Sequence, residues 1–187
     1  MRIVGGEAGG RVIIAPQGMN TRPTSEKVRE AVFSMLGGDM TGDRVFDVFA
    51  GSGAMALEAL SRGADLAAMC DISPDACRVI RKNLTSLGFS DRARLFNRDW
   101  RAALSEFAGT RFTVVFIDPP YKKVEEYLDV TNELAARKLL NNHAVLVLEH
   151  SAKTVLSGFA PCYRLLKPHK YGETAVTALR YEEGEQT

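Results

Sequence analysis

Hydrophobic positions along this chain follow two different periods, and the alternation between them predicts the architecture. Between Glu26 and Leu36, apolar Val28, Ala31, Val32, Met35 and Leu36 recur at i, i+3, i+4, i+7 and i+8. That spacing predicts a helix with one buried face, capped by Thr24 or Ser25, with Lys27, Arg29 and Glu30 turned to solvent. Ala76, Val79, Ile80, Leu84 and Leu87 repeat the pattern after Ser73 and Pro74, and Gly88 stops it. Elsewhere the apolar residues run together: Val45 to Phe49 broken only by Asp47, Leu66 to Cys70, Ala93 to Phe96, Phe112 to Ile117, and Ala144 to Leu148. Short continuous runs of this kind predict strands buried on both faces, as in a parallel sheet. Helices beginning near Ala54 and spanning Val124 to Lys138 fall between them, so the order is that of an α/β domain. Both ends read differently. Met1 to Pro16 predicts a hairpin around a glycine-rich turn, and Cys162 to Leu166 with Ala175 to Tyr181 predict an antiparallel hairpin around Tyr171 and Gly172.

Chemistry gathers where the strands stop. The run Val114 to Ile117 ends at Asp118, Pro119, Pro120 and Tyr121, where neither proline can donate to a sheet and each biases its predecessor toward extended geometry. Asp118 is therefore delivered to the carboxyl edge of the sheet, where ligands of open α/β folds bind. An acid, a proline carbonyl and an aromatic face suit an exocyclic amine on a planar base. The competing reading is a strand-end turn with a capping aspartate. After the strand holding Asp47, Ala50, Gly51, Ser52 and Gly53 form a glycine turn leading into a helix, the opening unit of a nucleotide-binding domain. It lacks the full dinucleotide fingerprint and any phosphate-binding lysine, which argues against a nucleoside triphosphatase. Asp71 ends the next strand about twenty residues on, where a carboxylate accepts ribose hydroxyls. Asp99 and Trp100 follow the third strand, either flanking an adenine or serving as helix cap and core anchor.

Composition narrows the picture. The 187 residues are 45% hydrophobic, enough for one globular domain, or one with a small appendage. A formal charge of +1 excludes a broadly basic nucleic-acid binder, so any basic surface is local. Residues 1–31 hold five basic side chains (Arg2, Arg11, Arg22, Lys27, Arg29) against three acidic, and Lys167, His169 and Lys170 cluster in the last hairpin. Cys70, Cys77 and Cys162 lack metal-ligand spacing and read as buried thiols of a reducing compartment; no metal site is expected. No run approaches the ~18 apolar residues of a membrane span, so a cytoplasmic protein without membrane contact is expected.

Taken together, Asp47, Gly51, Gly53, Asp71, Asp99 and the Asp118 to Tyr121 motif resemble Rossmann-like, S-adenosylmethionine-dependent methyltransferases of the amine-methylating branch. Gly10 and Arg11, then Thr21 to Thr24, Val28 to Phe33, and Tyr171, Gly172 and Thr174 resemble the RsmD family, which methylates guanine N2 in bacterial small-subunit ribosomal RNA. That resemblance covers nearly the whole chain. It implies a class I methyltransferase fold: a mostly parallel seven-stranded sheet with helices on both faces and an N-terminal hairpin-and-helix appendage. Residues 1–41 would position RNA and residues 42–187 would form the methyltransferase domain. The resemblance further implies that Asp47, Gly51, Ser52 and Gly53 meet the methionine end of S-adenosyl-L-methionine, Asp71 its ribose and Asp99 its adenine, with Ile72 and Trp100 also in the cofactor site. Asp118, Pro119, Pro120 and Tyr121 would hold the guanine, and Arg11, Arg22, Thr24 and Lys170 the RNA. The partner would be small-subunit ribosomal RNA, within a ribosomal particle, and the enzyme a monomer. Trp100 departs from relatives with a small residue there. The alternatives are an adenine or cytosine amino-methyltransferase acting on DNA or RNA, against which stands the lack of room for a target-recognition domain, and a cofactor-binding ribosome-assembly protein without catalysis.

Overall fold

A computed structural model describes residues 1–16, 25–120 and 124–184. Five parallel strands form its centre: β1 (Arg44–Asp47), β2 (Leu66–Asp71), β3 (Ala93–Asn97), β4 (Phe112–Ile117) and β5 (Leu140–Ser151). Their order in space is β3-β2-β1-β4-β5, so the chain starts in the middle, winds outward to one side, and then crosses back to the other. The crossovers are α2 (Ala54–Ser61), α3 (Pro74–Leu87), the short α4 (Trp100–Ala103), and α5 (Val124–Ala136). β6 (Tyr163–Leu165), β7 (His169–Tyr171) and β8 (Thr174–Tyr181) add the antiparallel side, with β8 against β5.

The expected seven-stranded sheet is found as seven positions across, with the outermost strand in two pieces. β6 and β7 both pair with β8, one at each end, and Pro168 lies between them where it has no amide to give. Tyr171 and Thr174 close a two-residue turn in which Gly172 takes φ 65°. β1 is shorter than its apolar run. It stops at Asp47, although the Val48 amide still donates to the Phe116 carbonyl at 3.1 Å and that of Ala50 to Cys70 at 3.0 Å. β5 runs longer than Ala144 to Leu148 because its polar ends also pair, the first past an irregularity at His143, which has φ 65°.

Alternate side chains of each strand enter two separate cores. Val45, Met69, Val114, Phe116 and Val147 meet α2, α3, the N-terminal hairpin and α1 (Glu26–Met35). Phe46, Ala68, Val115, Ile117, Leu146 and Leu148 meet α4 and α5 on the opposite face. The hairpin is held by main-chain bonds between Ile3 and both Arg11 and Gly10, and its Ile3, Ala8 and Ile13 are buried in the first core. Residues from the N-terminal segment and from the sheet therefore share one apolar cluster.

Ser25 is the cap of α1, its hydroxyl accepting from the Val28 amide at 3.2 Å. The buried stripe is rotated from the one the spacing predicts: Val28, Arg29, Val32 and Phe33 are buried, Ala31 is half-buried and Met35 exposed. Arg29, expected in solvent, is fully buried because α2 offers it Glu58, also fully buried. Glu58 Oε2 accepts from Arg29 Nε at 3.3 Å and from the Val4 amide at 2.7 Å. Its Oε1 accepts from Arg62 Nε and the Gly5 amide, each at 2.8 Å. Arg29 also donates to the Arg2 carbonyl. One carboxylate thus ties the hairpin, α1 and α2 together.

Removing one partner of a buried ion pair strands the other charge, which costs about 3–5 kcal/mol. Glu58→Gln should lower the free energy of urea unfolding by that order. An unfolding midpoint equal to wild type would contradict the role assigned to this cluster.

Candidate active site

Because the central strands are parallel, they all finish at one edge, and the residues that end them share the face covered by α1. Asp47 pairs with Met69 on one side and Phe116 on the other, so Asp71 and Asp118 each stand two positions further out on the flanking strands. Ile117 pairs with Leu148, which puts Glu149 level with Asp118. Asp71, Asp47, Asp118 and Glu149 consequently form a row across β2, β1, β4 and β5, all lining one cleft of about 1340 Å³. The cleft lies where the strand order reverses between β1 and β4, the switch point at which open α/β sheets take ligands. Lys27, Val28 and Val32 of α1 with its cap Ser25, and Ala15 and Pro16 at the end of the hairpin segment, contribute to its wall.

The glycine turn is built around Asp71. Gly51, at φ 53°, donates its amide to Asp71 Oδ2 at 2.8 Å, and the Ser73 amide donates to Oδ1, also at 2.8 Å. Each carboxylate oxygen retains a further lone pair for a hydroxyl. Asn97 fixes the chain after β2 by donating to the Asp71 and Ile72 carbonyls at 3.0 and 3.1 Å. Gly53 caps α2 at φ 75°, and a Cβ there would come within 3.0 Å of Ile80. The positive φ favours glycine, and a side chain there would also press on Ile80. Ile72 is 72% exposed beside this turn, an aliphatic surface open to the cleft.

Asp47 is only 5% exposed. Burial raises its carboxyl to about 7, aided by the charges of Asp118 and Asp71 and opposed by a hydrogen bond from the Ala56 amide. Asp99 accepts from the Arg101 amide at 2.9 Å as the cap of α4, and Trp100 is 4% exposed in the second core, so cap and anchor are both realised while both residues also line the cleft. The Arg101 guanidinium lies over the Trp100 ring, 4.3 Å from its centroid.

Asp118, Pro119 and Pro120 follow β4 directly and line the cleft, as does Lys170 on β7. Arg11 does not. It is exposed on the return arm of the hairpin and donates to the Ser86 carbonyl at the end of α3. Tyr121, Arg22 and Thr24 lie outside the described residues. Glu149, Glu126 and Asn97 were not anticipated. Glu149 was open to detection, since it ends an apolar run as Asp71 and Asp118 do; Glu126 and Asn97 carry no local signal.

A parallel sheet of this order, a glycine turn bound to the acid ending β2, and a second acid before two prolines define a Rossmann-like methyltransferase fold. The chain belongs to the RsmD family: residues 1–180 match the family model described as conserved hypothetical protein 95. It is 34% identical over 180 residues to YlbH of Bacillus subtilis, provisionally named an rRNA methyltransferase, covering 94% of this chain and 96% of that one. It is 35% identical over 135 residues to ribosomal RNA small subunit methyltransferase D of Escherichia coli, covering 71% and 67%. A solved Escherichia coli structure provisionally titled methyltransferase yhhF superimposes with a TM-score of 0.88 at 28% identity, over 98% and 99% of the two chains. The fold is shared, at 18% identity and a TM-score of 0.66, with an RNA methyltransferase from Salinibacter ruber bound to S-adenosyl-L-homocysteine, over 87% and 95%.

Asp47 generates a pH dependence. Its carboxyl binds a proton more tightly folded than unfolded, so the stability it contributes is complete below its unfolded value, near 3.8, and is lost as pH rises through about 7. Unfolding free energies measured from pH 4 to pH 8 should fall with pH in the wild type, and Asp47→Asn should flatten that fall. Parallel curves for the two proteins would refute the assignment.

Proposed function

We propose that this protein transfers a methyl group from S-adenosyl-L-methionine to the 2-amino group of a guanine in small-subunit ribosomal RNA. The observation that carries this reading is the convergence of Asp71, held by the Gly51 amide, and Asp118, before two prolines, on one cleft at the switch point. Its donor and acceptor set fits the cofactor. Asp71 retains acceptor capacity for ribose hydroxyls, exposed Ile72 supplies apolar surface beside it, Asp99 lies at the adenine end with Trp100 buried behind it, and Asp47, Gly51 and Ser52 lie toward the methionine end, with Gly53 shaping the turn.

The bound cofactor supplies a methyl group on a positively charged sulfur, activated for displacement. The chain's contribution is placement. Asp118 and the Pro119 carbonyl accept the two hydrogens of the amine and hold its nitrogen in line with the methyl carbon, at the ~3 to 3.5 Å of a near-attack geometry. The cofactor would supply that methyl carbon and would leave as a neutral thioether once the amine nitrogen had displaced it. The amine becomes cationic, and Asp118 or water takes the proton it sheds. Tyr121 offers a face on which the base stacks, for ~1 to 3 kcal/mol. A guanine in folded RNA has to leave its stack to enter. Lys170, on the cleft wall, and Arg11, Arg22 and Thr24 in the N-terminal segment are assigned to the RNA.

Asp118→Asn keeps the shape and replaces an anionic acceptor with an amide. Single-turnover methylation of small-subunit RNA should slow at least ~tenfold, ~1.4 kcal/mol of barrier, while cofactor affinity by calorimetry stays unchanged. A wild-type rate would remove the catalytic assignment. Mapping N2-methylguanine in ribosomal RNA from cells lacking the gene identifies the nucleotide.

A further inference from the structure

A chain of charge +1 carries its basic surface locally, and the fold gathers one beside the cleft. On α3, Arg78, Arg81 and Lys82 fall at i, i+3 and i+4, on the side of the helix turned away from buried Ala76, Ile80 and Leu84. All three are exposed. Arg81 and Lys82 have no hydrogen bond or ion pair among the described residues, and Arg78 has only its pair with Asp75, at 2.7 Å and largely in water. An ion pair so exposed is weak, and its cation stays available. The return arm of the hairpin crosses the same helix: Asn83 binds Ile14 through its amide and its carbonyl, and Arg11 donates to the Ser86 carbonyl. Arg11 thereby adds a fourth cation. Asp75 is the only acid of α3, so four cations on this face meet one carboxylate.

Both ends of the face lead to the cleft. Val12 and Ile14 are 62% and 54% exposed on either side of buried Ile13, and the arm continues into Ala15 and Pro16 of the cleft wall. At its other end α3 begins two residues after Ile72, which lines the cleft as well. We propose that the outer face of α3 and the return arm of the hairpin bind the phosphate backbone of the substrate RNA and guide the strand to the cleft. The proposal rests on the ribosomal-RNA reading above and adds to it the path of the strand. The row from Arg78 through Lys82 to Ser86, where Arg11 is anchored, is about 12 Å long at the rise of a helix. A nucleic-acid strand presents a phosphate every few ångströms of its axis, so the row faces several at once. Val12 and Ile14 offer aliphatic surface to unpaired bases beside it.

The probe is deproteinised small-subunit ribosomal RNA, titrated at about 50 to 200 mM KCl. The double variant Arg81→Ala, Lys82→Ala should bind it ~tenfold more weakly and reduce the slope of log affinity against log salt by ~1 to 2. Arg137→Ala with Lys138→Ala removes the same charge from exposed positions after α5, on the other face of the sheet, and should match wild type. Cofactor affinity by calorimetry should be equal in all three proteins, which establishes that each is folded. Wild-type affinity and slope in the α3 variant overturn the proposal. An equal loss in the α5 variant does so too, since the effect is then one of net charge. A loss seen only with assembled subunits, while deproteinised RNA is bound as by wild type, assigns the face to a ribosomal protein and overturns it as well. In each case methylation of guanine at N2 still stands. Wild-type protein that binds RNA through α3 and forms no N2-methylguanine overturns that reading alone.

Discussion

Parallel pairing of β1 with β2 and β4 is the constraint on which the site depends. Strands that run the same way end at the same edge, and side chains two residues apart share a face. An acid placed at the end of each apolar run must then fall into one row, whatever the distance between the acids in sequence. Asp47 and Asp71, and Asp47 and Asp118, become neighbours through the register alone, with Asp47 recessed and the other two at the rim. Antiparallel strands would send alternate acids to opposite edges and dissolve the site.

Assembling like charges in a partly dry cleft has an electrostatic consequence. Asp47, deepest in the row, is held near neutral pH by burial more than by its neighbours. Asp71 is treated differently: two main-chain amides, from Gly51 and Ser73, bind its oxygens. Residues of the same type thus receive different local environments on neighbouring strands. The glycine turn is shaped by this, since the Gly51 amide reaches Asp71 from a backbone at positive φ.

The N-terminal hairpin and α1 are joined to the sheet by apolar packing and by buried polar contacts. Glu58 binds the hairpin amides and Arg29, and Asn83 on α3 clamps Ile14 from both sides, accepting its amide and donating to its carbonyl, each at 2.9 Å. These contacts hold Ala15, Pro16 and the start of α1 against the cleft, so the wall facing the carboxylate row is built from a segment distant in sequence.

Much of this was legible in the residues. Continuous apolar runs marked β1, β2 and β4, the last two ending in acids, and glycines marked the turn at Gly51 to Gly53, because strand burial and turn chemistry are local properties. The same rule extended to β5 would have marked Glu149. The rotation of α1 was not legible: periodicity favours Ala31 and Met35 as buried, and Arg29 goes inside only because Glu58, 29 residues away, awaits it on α2. Nor did the residues foretell that Arg11 would turn to the Ser86 carbonyl, or that the last hairpin's outer strand would break at Pro168. Local patterning determined which elements form and which residues end them. Tertiary packing decided which of those residues meet, since the partner that makes a charge stable in the interior lies on another element.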